Sequence, residues 1–145
     1  MHKIRVKWID DLNFVGTDSL GRATLISGKE GAGVSPMQMI ALGLGGCAAY
    51  DIVNILKKQR QKLDDVEIEL DAKRKEGYPS PYETIHMHFI VTGRSLDPNK
   101  VERAIKLSSE KYCGVHATIE EVTDISWDLE IRETHTNLIT HTKKP

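Results

Sequence analysis

Two cysteines are the only thiols in the 145-residue chain, and they are its most reactive side chains. Cys47 lies in the apolar, glycine-rich run Met37–Tyr50, and Cys113 lies in the segment Lys111–His116. Two thiols that meet in space can form a redox couple. One thiolate attacks a peroxide oxygen, and the second thiol condenses with the resulting sulfenic acid to give a disulfide.

Two other interpretations of the cysteines stay open at this point. Free cysteines are often buried as small hydrophobic residues with no chemical role. The spacing Cys113-x-x-His116 is also typical of metal ligands, and Cys47 is available to complete such a set. His86 and His88 alternate along a strand pattern and therefore share one face of the strand. We favour the interpretation that they are partly exposed strand residues over the interpretation that they bind a metal.

Composition indicates one ordinary globular domain, which we expect to span residues 1–133 with a polar tail over 134–145. The net charge of −1 gives no indication of a nucleic acid or of an anionic membrane surface as a partner.

Cellular location is predicted from the N-terminus and from the longest apolar run. Met1–Trp8 alternates like a strand and lacks the apolar core of a signal peptide, and Met37–Tyr50 is too short and too rich in glycine to cross a bilayer. We therefore expect a cytoplasmic protein, in which a disulfide would be transient rather than structural.

Hydrophobic periodicity predicts the elements that must position the thiols. Alternating patterns predict six strands, at residues 3–9, 13–17, 22–27, 66–72, 84–92 and 125–131. One helix is predicted to begin at Ser35-Pro36 and to end at about Lys62, and a second is capped by Asp97 and ends near Cys113. The order βββ–α–ββ–α–β indicates an α+β fold.

The first predicted helix is apolar on nearly every face in its first half. A helix of this kind is buried all round. Gly43, Gly45 and Gly46 would allow another backbone to approach it closely. In so small a domain, full enclosure of this helix suggests that a partner subunit covers part of it.

Several segments resemble the OsmC/Ohr family, and most closely its YhfA-type branch. They are the Ser35-Pro36 helix start, the glycine-rich helix with Gly46-Cys47-Ala48-x-x-Asp51, the segment Lys111–His116 and the strand pattern Pro81–Gly93. The resemblance covers residues 3–131. It implies an intertwined homodimer with sites at the subunit interface and thiol-dependent reduction of organic hydroperoxides, reset by an external dithiol. By position, Cys47 would be the peroxidatic cysteine and Cys113 the resolving one. We expect no cofactor and no resident metal.

The chain departs from the family pattern where the peroxidases carry a glutamate in the first turn of the helix. Met37 and Gln38 stand at the matching positions, and Gln38 offers a hydrogen-bond acceptor without a charge. The family arginine over the reactive sulfur comes from the N-terminal strands. Arg22 is the best candidate for it here, with Arg5 second.

Asp51 follows Cys47 by one helical turn and lies on the same face. A carboxylate beside a thiol opposes formation of the thiolate, so we expect Asp51 to pair with a base or to point away if Cys47 is reactive. Three hypotheses follow: a thiol peroxidase, a redox-sensing or small-ligand-binding protein on the same fold, and a structural domain with inert thiols.

Overall fold

A computed structural model describes residues 1–135, which form an α+β arrangement as expected. Its strands are β1 Arg5–Asp10, β2 Asn13–Thr17, β3 Ala23–Ser27, β4 Lys62–Arg74, β5 Tyr82–Arg94 and β6 Asp124–Glu133. Its α-helices are α1 Pro36–Lys58, α2 Pro98–Leu107 and α3 Gly114–Ile119. The predicted order of strands and long helices is confirmed, and α3 is an element that the sequence did not predict. Residues 136–145 of the predicted tail lie outside the described residues, and the single-domain boundary stays a prediction.

The chain divides into two compact units, the first ending at Gly43 and the second beginning at Leu44. The first unit holds an antiparallel sheet in the order β1-β2-β3, which confirms the predicted hairpin at residues 10–13. The start of α1 is also as predicted, because Ser35 Oγ accepts a hydrogen bond from the Gln38 backbone N–H at 3.3 Å and Pro36 is the first helical residue.

The second unit is built on a sheet in the order β4-β5-β6, with β5 in the centre. β4 and β5 are antiparallel, whereas β5 and β6 are parallel. Alternation along β5 buries Ile85, Met87 and Phe89 on one face and leaves His86 and His88 half-buried on the other. Because parallel strands need a crossover, the chain between β5 and β6 must leave the sheet and return. That crossover carries α2, Cys113 and α3.

Helix α1 ends at Lys58, four residues before the predicted end, and β4 begins at Lys62. Within one chain its buried residues form a single stripe at every fourth position: Leu44, Ala48, Ile52 and Leu56. Residues at this spacing share one helix face. The helix is therefore enclosed along one face of a single chain, and the remaining apolar side chains of α1 include exposed ones such as Leu42 and Tyr50.

Helix α1 is longer than the apolar run Met37–Tyr50, which by itself is too short to cross a bilayer. The helix has 23 residues and is long and apolar enough to cross a bilayer by length and composition. Core helices of soluble proteins also satisfy these criteria, and the buried stripe of α1 is typical of a core helix.

Candidate redox site

The two cysteines meet inside the second unit. The sulfur atoms of Cys47 and Cys113 and a carboxylate oxygen of Asp51 all lie within 4.8 Å of one another. Cys47 and Asp51 are presented by consecutive turns of α1, and Cys113 comes from the crossover. Cys47 is half-buried, whereas Cys113 is only 4% exposed. The structure thus supplies the proximity that a redox couple needs.

A π-helical turn sets the position of Cys113. Helix α2 passes directly into this turn at Ser108–Tyr112, and the Cys113 N–H closes it by donating to the Ser108 carbonyl at 2.7 Å. Cys113 itself is extended and caps α3, with its sulfur accepting a hydrogen bond from the His116 N–H at 3.3 Å. Single π turns inside helices are frequent at functional sites. Here the turn and the cap fix Cys113 from both sides.

Ser108 is the site residue that sequence reasoning missed. It is buried, and its Oγ donates a hydrogen bond to Asp51 Oδ2 at 2.8 Å. A signal was available, because Val101, Ala104, Ile105 and Ser108 follow one apolar stripe with a hydroxyl at its last position. A serine in such a stripe needs a polar partner.

Asp51 takes neither of the arrangements expected for it. Its hydrogen bond within residues 1–135 comes from the neutral Ser108 hydroxyl, and its carboxylate stays beside the two sulfur atoms. The condition expected of Asp51 if Cys47 is reactive, pairing with a base or pointing away, is therefore not met among the described residues. A hydroxyl holds the carboxylate in place without cancelling its charge.

Burial raises the pKa of the Cys113 thiol, and together with the neighbouring Cys47 side chain it brings the pKa to about 11. The backbone N–H groups of His116 and Val115 act in the opposite direction but do not prevail. Cys113 is therefore a protonated thiol at neutral pH. Of the two cysteines, it is the one more strongly withdrawn from solvent.

An open cleft of about 230 Å³ leads to Cys113. Its lining side chains come from the crossover and from β6: Ser109, Glu110, Lys111, Cys113, His116, Ala117, Glu120, Ile125 and Trp127. A second, smaller space of about 10 Å³, enough for one water, is also lined by Cys113. Small molecules therefore have a path to this side of the site.

His116 lies beside the cleft but outside the group formed by Cys47, Asp51 and Cys113. Its Nδ1 is 3.2 Å from Glu120 Oε2, close enough for an ion contact but out of line for a hydrogen bond. The metal-ligand set of Cys47, Cys113 and His116 that the sequence suggested is therefore not formed. Asp51, not His116, is the third residue beside the two cysteines.

Arg22 and Gln38 belong to the first unit. The Arg22 Nε donates to Asp18 Oδ2 at 2.6 Å, and the Arg22 side chain is 76% exposed. Gln38 is exposed in the first turn of α1, and Arg5 is exposed at the start of β1. The roles predicted for Arg22 and Gln38 at Cys47 stay predictions.

A second polar cluster lies on the other face of the β4-β5-β6 sheet. His86 Nε2 is 2.8 Å from Asp128 Oδ1, and His88 Nδ1 is 3.0 Å from the same oxygen. The hydrogen bond with Asp128 raises the pKa of His88. The prediction that the two histidines share a partly exposed strand face is confirmed.

Comparison with known proteins identifies the chain's relatives. The sequence model of the family described as OsmC-like protein matches residues 28–128. Protein YhfA of Escherichia coli K12 is 42% identical over 128 residues, which cover 88% of this chain and 96% of the relative. Among solved structures, a hypothetical protein from Aquifex aeolicus VF5 has a TM-score of 0.84 at 29% identity, covering 92% of this chain and 97% of its own. The organic hydroperoxide resistance protein OhrB of Bacillus subtilis has a TM-score of 0.61 at 18% identity, with coverages of 90% and 98%. The predicted resemblance is confirmed.

Replacing Ser108 by alanine should destabilise the protein. The substitution removes the hydroxyl that donates to Asp51 and leaves a half-buried carboxylate without this partner, which costs about 1–3 kcal/mol. Urea denaturation measures the change in free energy of unfolding. Ser109→Ala is the matched control, because the Ser109 Oγ donates only to the exposed Lys106 carbonyl. Equal effects of the two substitutions would contradict the role assigned to Ser108.

Alkylation of Cys113 should depend steeply on pH. Because the thiolate is the reactive form and the pKa is raised to about 11, the labelling rate of the Cys113 peptide should rise about tenfold per pH unit above neutrality, up to about that pKa. Pulse labelling with iodoacetamide and peptide mass spectrometry measures the rate. A plateau near the ordinary thiol pKa of about 8.5 would show that burial does not control this sulfur.

Proposed function

Because this chain belongs to the OsmC-like protein family, we propose that it is a thiol-dependent peroxidase that reduces organic hydroperoxides. The observation that carries the proposal is the meeting of the two sulfur atoms and Asp51 within 4.8 Å. The relative OhrB of Bacillus subtilis, which is called an organic hydroperoxide resistance protein, supports the choice of substrate class.

The proposed reaction proceeds in two thiol steps. The Cys47 thiolate attacks the terminal oxygen of the hydroperoxide, which breaks the O–O bond and releases an alkoxide that takes up a proton as the alcohol. Cys47 is then a sulfenic acid. Cys113 attacks its sulfur, a disulfide forms, and the hydroxyl leaves as water with the Cys113 proton. An external dithiol reduces the disulfide and restores both thiols.

The difference in burial supports the assignment of roles. Cys47 is the more exposed of the two residues, in keeping with the peroxidatic role, whereas Cys113 is a protonated thiol. Oxidation of Cys47 to a neutral sulfenic acid removes one of the contributions that raise the Cys113 pKa. The Asp51 carboxylate, close to both sulfurs, accepts the Cys113 proton and passes it to the departing hydroxide.

Arg22 and Gln38 complete the proposed site by analogy with the family. An arginine over Cys47 would stabilise the thiolate, and Gln38 would orient that arginine through its side-chain oxygen. In the structure the Arg22 side chain forms an ion pair with Asp18. Since that pair is solvent-exposed, it holds the Arg22 side chain only weakly.

We further propose an intertwined homodimer located in the cytoplasm. Large apolar side chains are exposed on one chain, among them Trp8 at 63%, Leu42 at 58% and Tyr50 at 73%. Exposed apolar area of this kind marks surfaces that are covered by a partner. A second copy packed on α1 would enclose the helix that its sequence predicts to be buried.

A redox-sensing or small-ligand-binding role on the same fold is the second candidate. It is favoured by the Asp51 charge, which lies beside the sulfurs and opposes thiolate formation, and by the open cleft at Cys113. In this role Cys47 would be oxidised slowly and without turnover.

Peroxidase activity is tested by dithiol-dependent consumption of cumene hydroperoxide. Wild type should turn over, Cys47→Ser should fall to background, and Cys113→Ser should react once and accumulate a sulfenic acid that dimedone traps. Serine at 113 keeps the cap of α3, because serine is a good N-cap residue. Equal background rates in wild type and Cys47→Ser would exclude the enzyme and favour the second candidate.

The homodimer is tested with Leu42→Glu. A charge at this exposed apolar position of α1 should shift the protein toward monomer, because the carboxylate would lose its hydration in the interface. Sedimentation velocity over a range of concentrations measures the shift. Leu20→Glu, in the exposed turn between β2 and β3, is the control. A monomeric wild type would contradict the proposal.

A further inference from the structure

The donor atoms at the candidate redox site match those of a metal centre. Cys47 and Cys113 each offer a sulfur, Asp51 offers a carboxylate oxygen, and all three atoms lie within 4.8 Å of one another. Soft and borderline metal ions such as Zn²⁺ bind thiolate sulfur and accept a carboxylate as an additional ligand. Acidic clusters alone are common on surfaces, but two sulfurs and a carboxylate converging in a half-buried place are not.

The spacing of the three donors fits a tetrahedral ion. With Zn–S bonds of about 2.3 Å, two sulfurs of a tetrahedral site are about 3.8 Å apart, and a sulfur and an oxygen are slightly closer. In the structure all three donor–donor distances are already within 4.8 Å, so the backbone of α1 and of the crossover need not move. Small rotations of the two cysteine side chains are sufficient to close on an ion.

The surroundings hold the carboxylate ready for such a role. Ser108 Oγ donates to Asp51 Oδ2, which leaves the other oxygen of Asp51 available. Partners of this kind orient metal ligands and raise affinity. The cleft of about 230 Å³ that is lined by Cys113 supplies an entry path to this ligand.

We propose that Cys47, Cys113 and Asp51 form a three-ligand binding site for a soft or borderline divalent metal ion, with Zn²⁺ as the physiological class. The ion occupies the same sulfurs that the peroxide cycle would use. Metal binding and thiol oxidation therefore exclude each other, and the ion acts as a reversible block on the redox site. Binding itself requires no peroxidase activity.

The test uses Cd²⁺ as the probe, added to the reduced full-length chain without a histidine tag. Because the chain has only two cysteines, all cadmium–thiolate charge-transfer absorption must come from this site. We expect one Cd²⁺ per chain. Cys47→Ser and Cys113→Ser should each remove most of the absorption. The Asp51→Asn side chain can still accept the hydrogen bond from Ser108. Loss of a residue that only orients a metal ligand typically weakens metal binding about 10- to 100-fold. Because Asp51 is proposed as a ligand itself, Asp51→Asn should weaken Cd²⁺ binding by at least this factor.

Two control variants separate this site from other metal-binding side chains. His116→Gln removes the histidine of the Cys-x-x-His pattern, and the double variant His86→Gln/His88→Gln removes the cluster on β5. Neither should change the cadmium–thiolate absorption or the affinity. Zn²⁺ at saturation should slow alkylation of both cysteines in wild type and in these controls.

Absence of cadmium–thiolate absorption in reduced wild type would overturn the proposal. Unchanged affinity in Asp51→Asn, a large loss in His116→Gln, or one Cd²⁺ bridging two chains would overturn the assigned ligand set. These measurements contain no peroxide, so they stand apart from the peroxidase assay. A chain that binds Cd²⁺ but does not consume hydroperoxide would retain the metal site and lose the proposed enzymatic function.

Discussion

The candidate site depends on one buried serine. Ser108 donates its hydroxyl proton to Asp51 on α1, and its carbonyl accepts the Cys113 N–H that closes the π turn. One residue thereby links the helix that carries Cys47 to the backbone that carries Cys113. Both bonds are shielded from water, since Ser108 is 2% exposed, and buried polar groups require such partners.

The same arrangement creates an electrostatic conflict. Two sulfurs and a carboxylate share a space from which water is partly excluded, and they cannot all be charged there at low cost. The protein relieves the conflict by keeping the more buried sulfur of Cys113 protonated. Oxidation of Cys47 removes one potential negative charge, and a bound divalent cation neutralises two. The proposed redox cycle and the proposed metal site are two ways of resolving one local excess of negative donors.

Helix α1 shows how a sequence pattern can describe more than one chain. Its first half is apolar on nearly every face, yet a single chain buries only the stripe from Leu44 to Leu56. The apolar side chains of α1 that one chain leaves exposed form the surface that the homodimer is proposed to cover. The proposed dimer would also account for the membrane-like composition of this helix, because a helix packed on several sides needs apolar residues on all of them.

Local patterns in the sequence determined most of the elements. Alternation over 84–92 and 66–72 predicted β5 and β4, and Ser35-Pro36 predicted the start of α1, because strand period and cap chemistry depend on neighbouring residues alone. The exact end of α1 and the helix α3 were not predicted. The π turn was not predicted either, since a helix that gains one residue in a turn leaves no signal in its hydrophobic period.

The site divides in the same way. The spacing of Cys47 and Asp51 placed them on one helix face from sequence alone. The tertiary structure alone decided that Cys113 meets them and that Ser108 holds Asp51, because the crossover from β5 to parallel β6 must pack against α1 before these groups can touch. Sequence determined which donors exist in this protein, and long-range packing decided which of them share one site.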